Sequence, residues 1–288
     1  MDVTAFSGAA VIALSSATIF MLVVRSWSAF SETVTSTRFP NSIMLEAAQR
    51  FRDEITRLGR DQSVYLATGL VFTVIFCLTY LLPPIGIFGD VPWWQLAIVL
   101  LLLLLAGGYL VYRLWQTIVA RRRLMFVRDA NMATGHALQH LPGNSNRVFH
   151  DVSCNGCVLD HVIVGMHGIY SVSVVARKPG KDNRVRLKGD QLLFAPGSET
   201  IPVGASAKKS KQLANELRKV LTRNIHIRSV IAVPGWEIDH QESSEYLLVN
   251  ERNLAMVTGW KDQNDYLLNE EVDAVQEELT SRCKRFRR

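Results

Sequence analysis

The chain has 288 residues, enough for one ordinary globular domain beside a separate helical region. Its formal net charge of +6 fits either a nucleic-acid partner or the basic, cytoplasmic face of a membrane. Four cysteines, of which only Cys154 and Cys157 stand close together, exclude a disulfide framework. There is no glycine-rich phosphate loop and no serine-nucleophile motif, so the common nucleotide-hydrolysing and serine-hydrolase chemistries are excluded.

In chain order, three apolar runs come first, at about residues 6–24, 64–82 and 93–115. Each approaches the ~20 residues a helix needs to cross a bilayer, and Trp93, Trp94, Tyr112 and Trp115 bracket the third like interfacial aromatics. The pattern predicts an α-helical membrane segment with three transmembrane helices over residues 1–120. Arg25, Arg38, Arg50, Arg52, Arg57 and Arg60 lie between runs one and two, and Arg121, Arg122, Arg123 and Arg128 follow run three. The loop 83–92 has no basic residue, so the charges predict an N-terminus outside and a C-terminal domain on the cytoplasmic side. Within the first loop, Asn41 is a candidate cap for an amphipathic helix over 41–58, with Met44, Ala48, Phe51, Ile55 and Leu58 at helical spacing. Its mixed charge favours packing on the soluble domain or on a second copy over lying on the membrane.

Residues 121–288 read as an α/β domain. A helix is expected from Arg121 to about Leu141, ended by Pro142-Gly143-Asn144. Strands follow at Val148–Val152, Val158–Val164 and Ile169–Ala176, the first two joined through Cys154-Asn155-Gly156-Cys157, whose Asn-Gly is a strong hairpin signal. A smaller hairpin spans Arg184–Leu187 and Gln191–Phe194 around Gly189-Asp190. A lysine-rich helix spans Gly204–Thr222, followed by strands at Ser229–Val233, Tyr246–Val249 and Ala255–Val257. Asn269 is a candidate cap for a last helix with Val272, Val275, Leu279 and Cys283 on one face.

The stretches Arg147-Val-Phe-His-Asp-Val152, Leu159-Asp160-His161-Val-Ile-Val-Gly165, Gly168-Ile-Tyr170 and Ala176-Arg-Lys-Pro179, with Val233-Pro-Gly-Trp236, resemble the nuclease-related domain family, NERD. The resemblance covers roughly residues 125–260 and implies a restriction-endonuclease-like fold, a mixed central sheet flanked by helices, in a bacterial inner-membrane protein. It also implies a chemistry. An Asp on one strand and a Glu-x-Lys on the next hold Mg²⁺ and neutralise the phosphate, often with a further Glu from the first helix.

By that resemblance Asp160 matches the Asp, but Ser173 and Val175 stand where the Glu and Lys belong, and His136 stands for the helix Glu. Arg177 projects to the same strand face as Ser173 and Val175 and is a possible substitute cation, and Lys188 or Lys208 are more distant ones. One carboxylate holds Mg²⁺ poorly, so the retained acid is read as structural, pairing with a nearby base or capping a turn. No cofactor is implied unless the site is active, in which case Mg²⁺ or Mn²⁺ is needed, and His136 with Asp160 is a minor candidate metal pair.

His136 and His140 have a zinc-compatible helical spacing but lack the metalloprotease Glu. Cys154-x-x-Cys157 reads as two free thiols near a tip, against half a zinc site or a redox pair. Lys208, Lys209, Lys211, Arg218 and Lys219 form a candidate surface for nucleic acid or anionic lipid, and the basic tail 282–288 is a second one. The reading is a membrane-tethered, catalytically degenerate nuclease-related protein that binds nucleic acid or a protein partner, with a homo-oligomer open. The alternative is a metal-dependent DNA or RNA endonuclease with a rearranged site.

Overall fold

A computed structural model describes residue 22 and residues 45–80, 93–141, 146–178, 180, 182–196, 200–221, 223–243, 245–260 and 265–283. The first apolar run apart from Leu22, the cap expected at Asn41, the loop 83–92, the turn 142–144 and the tail beyond 283 lie outside these residues. Two long helices come first, α1 (Gln49–Tyr80) and α2 (Trp93–Gln139). The chain divides into two units, one of residues 1–39 and 54–124, the other of residues 40–53 and 125–288.

Within the first unit, α1 and α2 meet through small residues. A side chain at Gly107 would touch Phe72 at 3.4 Å, and a Cβ at Gly59 would lie 3.8 Å from the Arg121 guanidinium, which donates to Gln62 Oε1 at 3.0 Å. Among the described residues, no helix is long and apolar enough to cross a membrane. This overturns the expectation of three transmembrane helices, and with it the multi-pass inner-membrane location with a cytoplasmic C-terminal domain. The expected runs are not elements of their own. Run two is the later part of α1, whose opening turns carry Arg50, Arg52, Asp53, Glu54, Arg57, Arg60 and Asp61. Run three opens α2, which continues unbroken through Arg113 and Arg121-Arg122-Arg123 to Gln139. Hydropathy taken run by run does not register that apolar and charged turns belong to one helix.

The second unit is a mixed α/β domain with two sheets, a correction to the single central sheet expected. The larger sheet has the order β1 (Arg147–Cys154), β2 (Cys157–Gly165), β3 (Gly168–Val174), β7 (Ile227–Ala232), β9 (Tyr246–Val249). Its first three strands are antiparallel neighbours, and β3, β7 and β9 are parallel. The smaller sheet has the order β6 (Thr200–Pro202), β5 (Gln191–Ala195), β4 (Arg184–Lys188), β8 (Glu237–Glu242), with β4 and β8 parallel. Three helices complete the unit: α3 (Gly204–Leu221), the single turn α4 (Met256–Gly259) and α5 (Asn269–Arg282). The strand expected at Ala255–Val257 is therefore a helical turn, and Leu268, not Asn269, precedes the last helix as its cap. Glu271 accepts the Leu268 N–H at 2.9 Å, satisfying one of the free donors of the first turn.

Strand β7 is buried along its whole length, as a strand covered on both faces must be. On one face of the larger sheet, Phe149, Val162, Val164 and Ile169 pack on Leu213 and Leu217 of α3 and Val275 and Leu279 of α5. On the other face, Ile163, Tyr170, Val172 and Val230 pack on Leu138 of α2 and on Leu254 and Val257. A third core joins the sheets through Val185, Leu187, Phe194, Ile231, Trp236 and Leu248. Helix α3 buries Ser206, Ser210, Leu213, Leu217 and Leu221, so successive buried positions recur every three or four residues and its lysines are left on the remaining arc.

Candidate functional site

The β1–β2 hairpin organises the site. Its two-residue turn, Asn155-Gly156, places Gly156 at φ 81, a backbone state that glycine adopts without a Cβ clash. The register pairs Cys154 with Cys157, Val152 with Leu159 and His150 with His161. Counted along that register, Asp151 stands opposite Asp160, and Asp151 itself takes φ 50. The sequence reads nearly as its own mirror image about the turn, from His150-Asp151 through Cys154 to Cys157 and on to Asp160-His161. The hairpin therefore lays acid against acid and imidazole against imidazole.

Both acids are buried, at 5% and 6% exposure, and one side chain from far up the chain serves both. The Arg50 guanidinium forms an ion pair with Asp160 Oδ1 through Nη2. Its Nε lies 3.4 Å from Asp151 Oδ1, and the Arg50 backbone N–H donates to Asp151 Oδ2 at 3.1 Å. The second Asp160 oxygen accepts the Val174 N–H at 2.9 Å, tying the acid to β3. Burial pushes the Asp151 carboxyl above its usual range, Arg50 pulls it back and the Asp160 charge pushes it up again. Arg50 belongs to a segment fixed at several points. Leu45 N–H donates to the Cys283 carbonyl at 2.9 Å, and Arg52 pairs with Glu46 at 2.5 Å.

Beside the acids, His150 Nδ1 and His161 Nδ1 are 2.8 Å apart in a buried contact, so one ring donates and the other accepts. Burial lowers the pKa of both, that of His161 to about 3, with His150 and Arg50 adding to the effect. Gly135 of α2 makes room for this arrangement. A Cβ there would lie 2.6 Å from Ala47 Cβ and 3.3 Å from the His161 ring. Gly135→Ala is expected to lower stability by about 1–3 kcal/mol through overpacking, read from the urea midpoint.

The residues singled out from sequence are distributed as follows. Asp160 lies at the centre of the acid pair. The Ser173 hydroxyl accepts from the Ser206 hydroxyl at 2.8 Å, and Val175 packs into the core between the sheets. The Arg177 guanidinium sits over the rings of Phe194 and Trp236, at 4.6 and 5.9 Å from their centroids, while the cation beside Asp160 is Arg50. His136 is exposed on α2 with its Nε2 3.4 Å from that of His140. Lys208, Lys211, Arg218 and Lys219 are exposed on α3, whereas Lys209 donates to the Val158 carbonyl at 3.2 Å.

Residues 128–234 match the family model of the nuclease-related domain, NERD. No curated relative and no solved structure matches the chain. The match carries a nuclease-related function as its coarse meaning, and spans the strands β1 to β7 on which the acid pair is built.

The Mg²⁺ that such a site implies does not fit these residues. Among the described residues, no three His, Cys, Asp or Glu side chains are grouped to hold a metal. The two carboxylates that do converge already share a guanidinium, and Mg²⁺ demands a near-octahedral set of oxygens. Sequence reasoning missed Arg50 and Asp151. Arg50 lies 110 residues before Asp160, and nothing local signals the contact. Asp151 was within reach, because the Asn-Gly turn sets the register and counting outward from it pairs the two acids.

Proposed function

We propose that this chain is a non-cleaving, nuclease-related protein that binds nucleic acid. The observation that carries the reading is Arg50 held between Asp151 and Asp160, which puts a permanent organic cation where cleavage needs an exchangeable metal ion. An arginine stays protonated at any physiological pH, so the pair keeps its counter-ion without a metal. Binding is supported by the exposed cations of α3. Lys208, Lys211 and Arg218 follow one another at spacings of three and seven, which lines them along one side of the helix. Such a row matches the phosphate backbone, whose contacts release counter-ions and need no base readout.

A second reading is metal-dependent endonuclease activity. It is favoured by the second carboxylate, Asp151, which would complete a two-acid set with Asp160 if Arg50 moved aside.

Full-length chain incubated with plasmid DNA and Mg²⁺ or Mn²⁺ is expected to retard the DNA at low salt and leave it uncut. The retardation weakens with salt. Changing Lys208, Lys211, Arg218 and Lys219 to alanine lowers the log–log slope by about 0.9 for each phosphate that the chain then leaves unneutralised. Cleavage that disappears in Asp160→Ala overturns the non-cleaving half. Absence of any shift with DNA or RNA at low salt overturns the binding half.

A further inference from the structure

We propose that Cys154 and Cys157 form a reversible dithiol–disulfide pair that staples the tip of the β1–β2 hairpin. They are register partners flanking the Asn155-Gly156 turn. Directly opposed residues of an antiparallel pair stand about 4.5–5.5 Å apart at Cα. That lies inside the ~4.4–6.8 Å at Cα that a disulfide spans, so the register already brings the two backbones within bridging reach. The tip is also held still. Asn155 N–H donates to Glu216 Oε1 of α3 at 2.9 Å, and the Gln212 amide donates to the Asn155 carbonyl. Arg282 of α5 binds Glu216 in turn, and Glu278 at 2.7 Å. The thiols are thus kept facing each other by contacts in which neither takes part.

The two sulfurs are not equivalent. Cys154 is 8% exposed, and burial, ahead of Glu216 and the Cys157 thiol, pushes its pKa up to about 12. Cys157 is half-buried at the hairpin surface and is the sulfur a small oxidant reaches first. With hydrogen peroxide as oxidant, the Cys157 thiolate attacks one peroxide oxygen, the O–O bond breaks and hydroxide leaves, giving a sulfenic acid. The Cys154 sulfur then attacks the Cys157 sulfur. The S–O bond breaks, and the departing hydroxide takes the Cys154 proton and leaves as water. Two thiols lose two electrons in total and the peroxide becomes two waters. A dithiol reductant reverses the step.

The position gives the staple a consequence. Cys154 is three residues beyond Asp151 and Cys157 three residues before Asp160, so the bond closes the same hairpin that carries the acid pair. This inference stands apart from the proposed nucleic-acid binding, since it needs only the hairpin.

The test is peptide mapping of the full-length chain after mild peroxide, denaturation and alkylation. Tryptic peptide 148–177 contains both cysteines and neither Cys77 nor Cys283. It is expected to lose two hydrogens and take up no alkylating agent, and to regain both reactive thiols after dithiothreitol. In Cys154→Ser, dimedone traps a sulfenic acid on Cys157, because the resolving sulfur is gone. The proposal is overturned if peptide 148–177 keeps two alkylatable thiols under peroxide that oxidises a short unfolded Cys-Asn-Gly-Cys peptide. It is equally overturned if Cys154 is found bonded to Cys283, which shares its core, or if wild-type Cys157 passes to sulfinic acid without pairing.

Discussion

Replacing Arg50 with alanine is expected to lower the stability of the chain by about 3 kcal/mol at pH 7, towards the low end of the cost of breaking a buried ion pair. The low end applies because the Arg50 side chain is 30% exposed, while those of Asp151 and Asp160 are 4% and 8% exposed. Without the guanidinium, two desolvated carboxylates stand opposite each other with only backbone donors, and one must take up a proton or the segment must open. The loss therefore shrinks as the pH falls, because protonating either acid removes the repulsion. Asp160→Asn placed on top of Arg50→Ala recovers part of the lost stability for the same reason. Urea unfolding of the three proteins at pH 7 and pH 5 measures this. A loss below about 1 kcal/mol at pH 7 would show that Arg50 is a surface ornament, since exposed pairs contribute no more than that. The same variant bears on the endonuclease reading. If Arg50→Ala gains Mn²⁺-dependent cleavage, the acid pair was a metal site held shut.

The second large effect comes from the histidine pair. His161 has its pKa lowered from the usual 6.5 to about 3, and His150 is lowered as well, both mainly by burial. The folded state holds these rings neutral, whereas the unfolded chain protonates them below pH 6.5. The stability tied to them is thus whole above the unfolded value and declines as the pH falls from there towards the folded one. Each ring contributes a slope of up to about 1.4 kcal/mol per pH unit, on the order of 2–3 kcal/mol lost by pH 4.5 for His161 alone. Asp151 acts in the opposite sense. Its carboxyl is raised, so its cost is present at neutral pH and is relieved as the pH drops through that raised value. Arg50 also disfavours a charged His161. Denaturant midpoints from pH 7 to pH 4 should therefore fall in wild-type protein, and fall less steeply in His161→Gln. A flat wild-type profile would mean that the pair is hydrated.

Much of the second unit was legible because period and turn chemistry are local. The β1–β2 hairpin follows from Asn155-Gly156, β9 follows from Tyr246–Val249, and α3 follows from apolar residues every three or four positions ending at Leu221. The edge strands of the smaller sheet were not legible. Strand β8, Glu-Ile-Asp-His-Gln-Glu, is mostly polar, and β6 is three residues long, so neither has an apolar stripe to announce it. The stretch Ala255–Val257 looks like a strand by composition. It is a helical turn because Asn250 accepts the Arg252 and Asn253 N–H groups at 3.0 and 2.9 Å and starts a tight bend.

Residue identity and short spacing were enough to reveal the likeness of residues 128–234 to the nuclease-related domain, and with it the expectation of an acid at 160 without Glu-x-Lys partners. The folded chain was needed to show that the acid is not alone, that its neighbour is Asp151 and that its counter-ion is Arg50. It was needed as well to show that, among the described residues, the apolar runs are turns of longer helices with charged stretches and none is long and apolar enough to cross a membrane. The physical reason is common to both. Charge pairing and burial depend on distance through space, and residues 50, 151 and 160 are brought together by a strand register and a chain segment that no window of sequence contains.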